Sequence, residues 1–245
     1  STYMQVAMLV PEAAALKKKR WAIVYPNYEY GQSAAATFKK LLKQAQPDVE
    51  FVAEQAPPLG KVDAGSVVQA LGDAKPDAVF SFFAGAGAVK FVKDYHASGL
   101  SKTIPLYGPG FLTDGTLEAQ GEAAQGMLTT LHYADELGTA RDQAFRTNYA
   151  KNYKLQPDVY AVQGYDAAQM LTVGLKAAGG DIAKKDVFRT AIEKATIASP
   201  RGDFTLSKAH NPVQDIYLRK VDGKENKKIG IAVKGLADPA RGCRM

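Results

Sequence analysis

Between residues 21 and 107 the chain repeats one pattern: a short apolar run of strand length, a turn, then a helix with an apolar stripe. Residues 21–42 are its clearest copy. Trp21-Ala22-Ile23-Val24 reads as a strand, Pro26 and Asn27 stop it, and Ala34, Phe38, Leu41 and Leu42 recur at i, i+4, i+7 and i+8 on one helix face. Strands separated by helices of ten or more residues imply a parallel sheet with right-handed crossovers, so the expected class is α/β. Open α/β sheets bind small molecules at the carboxyl ends of their strands. The first candidate binding surface is therefore the turn holding Tyr28, Tyr30 and Gly31.

The same reading predicts a helix over 3–16, kinked or started by Pro11, a helix over 32–43 and a strand over 49–54. A helix over 63–73 carries Val67, Ala70, Leu71 and Ala74 on one face, and a strand follows at 78–83. Ala88, Phe91, Val92 and Tyr95 mark the next helix, with Gly99 placed as its C-terminal cap. A strand over 103–107 then leads to Gly108-Pro109-Gly110. After Tyr133 the signal is helical only, over 140–153, 159–178 and 184–195, with Gly179-Gly180 between the last two. From Gly202 onward, 216–221 and 228–233 flank Asp222-Gly223 as a hairpin. The expected organisation is an α/β part over 1–131, a helical segment over 132–200, and a return to the first part over 201–245.

At 245 residues, 46% hydrophobic and 23% charged, the chain can bury a real core. Its longest apolar runs, such as 78–84, fall far below the ~18 residues of a membrane helix. The net charge of +6 and pI near 9.2 come from lysines scattered over 17–20, 184–185 and 224–228, at helix ends and a hairpin. That distribution is a solvated surface, and no nucleic-acid partner is expected. Cys243 is the single cysteine, so neither an internal disulfide nor a cysteine zinc site can form. Residue 1 opens inside helical sequence rather than a basic-then-apolar signal segment, so a processed chain or a fragment is expected.

Catalytic motifs are approached and not completed. Gly31-Gln32-Ser33-Ala34-Ala35 lies where a nucleophile elbow would, but Ala35 replaces the final Gly, and Ser33 reads more simply as a helix N-cap. His96, His132 and His210 have no orienting carboxylate pattern beside them. Phe83-Ala84-Gly85-Ala86-Gly87-Ala88-Val89-Lys90 follows a strand and opens a helix as a dinucleotide fingerprint does, yet Lys90 stands at the third Gly position. No H-E-x-x-H, Walker segment or acidic metal triplet occurs, so no cofactor, metal or enzymatic activity is expected. Three strand ends remain, at 28–31, 83–87 and 108–111, each rich in aromatic or Gly residues. Aromatics beside exposed backbone amides are the makings of a pocket for a small apolar acid.

The chain resembles the type I periplasmic substrate-binding proteins of ABC transporters, the group that includes the leucine/isoleucine/valine-binding protein. The resemblance runs through the helix before Arg20, Ala22-Ile23-Val24 leading to Tyr30-Gly31, Lys75-Pro76-Asp77-Ala78-Val79-Phe80, Gly99-Leu100, Ala124-Gln125-Gly126, residues 159–168 and Gly202-Asp203-Phe204. It implies two α/β lobes joined by three crossing segments, with ligand in the cleft between them. On that template 1–131 and 201–245 form the second lobe, and 132–200 belongs to the first. Family members carry a run of βα units before the equivalent of Ser1. The resemblance thus implies that the first-lobe sheet and its serine and threonine ligands are missing from this chain, and that Cys243 pairs with a cysteine there.

The implied ligand residues are Tyr28, Tyr30, Phe83, Ala84, Gly85, Gly110, Phe111 and Tyr160. Amino-acid binders of the family place an acid at the position of Gly110 to hold the substrate ammonium. With Gly110, Tyr133, and the 110–114 and 160–168 segments, the chain looks more like the branch that takes up aromatic acids such as benzoates. A buried ammonium without a partner costs several kcal/mol. The expected protein is a periplasmic receptor, monomeric when intact, that passes a small carboxylate to a membrane permease. Amino-acid binding, or a sensor or enzyme built on the same lobes, is the alternative.

Overall fold

The computed structural model describes residues 1–60 and 63–240; Cys243 lies outside them. The chain divides into two compact units, Ser1–Leu131 with Ile216–Val233, and His132–Asp215 with the described residues from Lys234 on. The return to the first unit thus comes at Ile216, later than the expected residue 201.

The first unit opens with α1 (Thr2–Ala7) and α2 (Val10–Ala15), two short helices where one was expected. Pro11 sits at the start of α2, where its missing N–H costs nothing. There follow β1 (Arg20–Val24), α3 (Glu29–Ala45), β2 (Glu50–Gln55), α4 (Ala64–Asp73), β3 (Ala78–Ser81) and α5 (Gly85–Ala97). The strand expected over 103–107 forms instead as β4 (Leu106–Pro109), because Gly99, at φ +81°, sends the chain into a 3-10 turn at Leu100–Lys102. A further 3-10 turn (Gly110–Leu112), the short α6 (Leu117–Gln120) and β5 (Leu128–Leu131) complete this stretch, and none of the three was anticipated.

The sheet order in this unit is β2-β1-β3-β4-β5, with every one of those pairs parallel. The expected hairpin is present and longer than predicted, as β7 (Pro212–Asp222) and β8 (Glu225–Leu236), with β7 antiparallel to β5. Alternate residues of each strand feed opposite cores, as the period of two requires. Trp21, Ile23, Phe80 and Phe82 pack with α1 to α3, whereas Ala22, Val24, Val79 and Phe83 pack with α4 and α5. Helices therefore cover both faces of the sheet. The chain leaves β1 for β2 on one side and returns past β1 to β3 on the other, so the order reverses between β1 and β3. Such a reversal opens a crevice at the strand carboxyl ends.

The second unit holds α7 (Ala140–Tyr153), α8 (Val159–Ala177) and α9 (Lys185–Glu193), within two residues of the expected bounds. Its starts are chemically marked: the Thr139 hydroxyl accepts from the Asp142 N–H at 3.1 Å, and the Asp158 carboxylate from the Ala161 N–H at 3.0 Å. No strand lies among residues 132–200; the two-residue β6 (Thr205–Leu206) pairs with the first residues of β7. Buried charges in this unit are paired. Asp166 meets Arg201 at 2.9 Å and the Ser199 hydroxyl at 2.9 Å, and Asp142 accepts from Tyr133 at 2.9 Å. Burial pushes both carboxyls above the usual range, with Arg201 opposing the shift at Asp166 and the Tyr133 hydrogen bond opposing it at Asp142. Among the described residues no helix is long and apolar enough to cross a membrane.

Candidate functional site

The crevice between β1 and β3 is built from four strand ends of the first unit. After β1, Asn27 bridges in parallel to Pro58 beyond β2, and its N–H donates to the Pro57 carbonyl at 2.8 Å. Tyr28 stays extended as the N-cap of α3, and its carbonyl accepts from the Gln32 N–H at 2.9 Å. The helix thus begins at Glu29, three residues before the expected start, which puts Tyr30 and Gly31 on its first turn and Ser33, exposed, inside the helix rather than at its cap. Gly31 is required there: a Cβ would stand 2.2 Å from the Pro26 carbonyl oxygen.

After β3 the chain runs through Phe82, whose N–H donates to the Val24 carbonyl at 2.9 Å, and Phe83 to Ala84, the extended N-cap of α5. After β4 the 3-10 turn brings in Phe111. Four rings then meet edge to face in a row. Tyr28 and Tyr30 are 6.1 Å apart between centroids, Tyr30 and Phe82 5.0 Å, and Phe82 and Phe111 5.1 Å. They wall a cavity of about 450 Å³, whose lining also takes in Pro26, Leu59, Gly60, Phe83, Ala84, Ala86, Gly87 and Lys90. That volume is in the range of small-molecule sites. Partial burial raises the Tyr28 phenol, which therefore stays neutral and able to donate at neutral pH.

Of the eight residues expected to touch ligand, Tyr28, Tyr30, Phe83, Ala84 and Phe111 line this cavity. Gly85 does not line it; it opens α5 with φ +54° beside the lining residues Ala84 and Ala86. Tyr160 is on α8 of the second unit and half exposed. Gly110 is also outside the lining, and it is buried for a reason the sequence did not show. Arg219, fully buried on β7, donates to the Gly110 carbonyl at 3.2 Å, to Thr129 Oγ1 at 2.9 Å and to Asp114 Oδ2 at 2.6 Å. The space a side chain at 110 would occupy is filled by that guanidinium and by Leu131. Sequence reasoning missed Phe82 as a wall, Leu59 and Gly60 after β2, and Lys90. The signal for Phe82 was its place at a strand end, three residues before Gly85.

No catalytic grouping assembles from the earlier candidates. His132 Nε2 lies 3.2 Å from the Gln163 amide, His210 pairs with Glu193 at 3.0 Å, and His96 stands 3.5 Å from the Ser101 hydroxyl. Among the described residues no three His, Cys, Asp or Glu come together as metal ligands.

A family model described as periplasmic binding protein matches residues 1–227. The chain belongs to that family. This binding protein is 31% identical over 211 residues to Leu/Ile/Val-binding protein homolog 6 of Brucella melitensis, an alignment covering 83% of the chain and 53% of the relative. The chain thus spans about half the length of that relative. Among solved structures it is similar to the solute-binding protein of an ABC transporter from R. palustris in complex with benzoate. The identity there is 40% and the TM-score 0.94, over 100% of this chain and 67% of that one. It is also similar to a solute-binding protein of Rhodopseudomonas palustris BisB5 in complex with 3,4-dihydroxybenzoic acid. That match has 31% identity and TM-score 0.86, over 98% of this chain and 67% of the other. The fold is accordingly the type I fold of these proteins, with a parallel-dominated sheet between helices.

Proposed function

We propose that the chain is the greater part of an extracytoplasmic solute receptor that binds an aromatic carboxylate and delivers it to an ABC importer. The observation that carries this reading is the cavity at the β1/β3 crevice, walled by Tyr28, Tyr30, Phe82, Phe83 and Phe111. Edge-to-face rings offer a flat aromatic solute both stacking faces and hydrogen-rich edges. Among the described lining residues there is no Asp or Glu, so a substrate ammonium would have no carboxylate there to offset its desolvation. The benzoate and dihydroxybenzoate complexes of similar proteins support the same class of solute. On this reading the protein is a receptor and not an enzyme, works in the periplasm as a monomer, and partners a membrane permease. Gly85 and Gly110 remain proposed contributors to the site, Gly110 through the turn that holds Phe111.

The competing reading, an amino-acid receptor, draws on the relatives named Leu/Ile/Val-binding protein homologs. Thermal-shift titration separates the two, applied to residues 1–245 and to the complete gene product. Benzoate, 4-hydroxybenzoate and 3,4-dihydroxybenzoate are expected to stabilise the complete product, by about 2.7 kcal/mol at a hundredfold excess over Kd, and leucine to leave it unchanged. Residues 1–245 should respond more weakly. Stabilisation by leucine with no response to benzoates would replace the aromatic assignment with the amino-acid one.

A further inference from the structure

We infer that the crevice selects an aromatic acid whose ring carries an apolar substituent, such as a 4-alkylbenzoate, over hydroxylated benzoates. This rests on the aromatic-acid reading above and narrows its substrate class. The cavity offers about 450 Å³, whereas a dry apolar cavity of about 150 Å³ already takes up benzene. One unsubstituted ring therefore leaves much of the apolar wall facing water, and covering that wall is favourable. The chemistry of the wall decides what covers it. The row of rings runs from Tyr28, 38% exposed, through Tyr30 to Phe82, 2% exposed and followed by the equally buried Phe83. Its phenols thus belong to the outer end and its plain phenyl rings to the inner one. Pro26, Leu59, Ala84 and Ala86 add only hydrocarbon side chains.

The orientation of the acid follows from charge. Among the described lining residues the cation is Lys90, whose side chain is 54% exposed and whose ammonium is held by Asp94 at 2.7 Å. That lining therefore has no unpaired cation for a carboxylate stripped of water, which would be costly to seat there. The carboxylate stays outside it, and the opposite edge of the ring, its 4-position, leads into the cavity. A hydroxyl at that position is above all a donor. Against Phe82, Phe83 and Phe111 it sheds water and meets no side-chain acceptor, whereas an alkyl group only covers the rings. Each carbon buried in this way is worth about fourfold in affinity.

The test is isothermal titration of the complete gene product with benzoate, 4-methylbenzoate, 4-isopropylbenzoate and 4-hydroxybenzoate. Affinity should rise about fourfold from benzoate to the methyl compound and further to the isopropyl compound, and fall about tenfold from benzoate to the hydroxyl compound. Ala86→Leu fills part of the cavity from the exposed first turn of α5, and should remove most of the isopropyl advantage. Circular dichroism checks that this variant is folded; Ala84→Val, at the extended residue before α5, serves in place of one that is not. 4-Hydroxybenzoate binding more tightly than 4-isopropylbenzoate, or an isopropyl advantage untouched by the filling variant, would overturn the apolar-substituent assignment and leave the aromatic-acid reading standing. A parent protein that binds none of these acids overturns both.

Discussion

Arg219→Met is expected to destabilise the first unit by about 3–5 kcal/mol, because it leaves a carboxylate buried without its counter-charge. Arg219 is 0% exposed, and Asp114 5%. The guanidinium is the hub of a closed network: Asp114 at 2.6 Å, Thr129 at 2.9 Å, and the Gly110 carbonyl at 3.2 Å. Met fills much the same volume, so the loss is electrostatic rather than a cavity. The double variant Arg219→Met with Asp114→Asn should recover a large share of the stability, since neither charge is then stranded. Trp21, the one tryptophan and fully buried in this unit, gives the fluorescence signal for urea unfolding. A loss below 1 kcal/mol for the single variant would mean that water reaches Asp114 and that the network is not closed.

That network was invisible in the sequence, and the reason is instructive. Arg219 stands in a hairpin strand whose neighbours include Lys220 and Asp222, where a charged residue ordinarily faces solvent. Only the pairing of Thr129 with Arg219 across β5 and β7 turns it inward, and β5 itself carried little signal. Its four residues are Leu128-Thr129-Thr130-Leu131, whose two central threonines are fully buried, so there is neither an apolar run nor an alternation. By contrast the βα units from Trp21 to Tyr95 were legible, because helices and strands there bury apolar side chains at their own periods and are bounded by Pro and Gly. The strand-end aromatics of the candidate site could be found by the same logic. Lys90 could not be placed, since a lysine on an amphipathic helix is normally a solvated one. Gly110 was read for the missing acid, whereas its surroundings show a packing constraint.

That constraint makes a second large effect. Gly110→Glu is expected to lower the melting temperature and to bring no affinity for leucine. A Cβ at this position would stand 2.5 Å from the Arg219 guanidinium and 2.6 Å from the Leu131 Cβ. The first could retreat only by leaving Asp114, and the second is tied to the backbone of β5. Overpacking of this kind costs about 1–3 kcal/mol or more, which is roughly 2–12 °C in a chain of this size. The new carboxylate would also find a guanidinium at contact distance and pair with it, competing with Asp114 instead of facing the aromatic cavity. An amine entering the crevice would then gain no partner. Differential scanning fluorimetry with and without leucine reads both effects at once. A Gly110→Glu protein as stable as the parent and stabilised by leucine would show that the position opens toward ligand, and that the absence of one carboxylate is all that excludes amino acids.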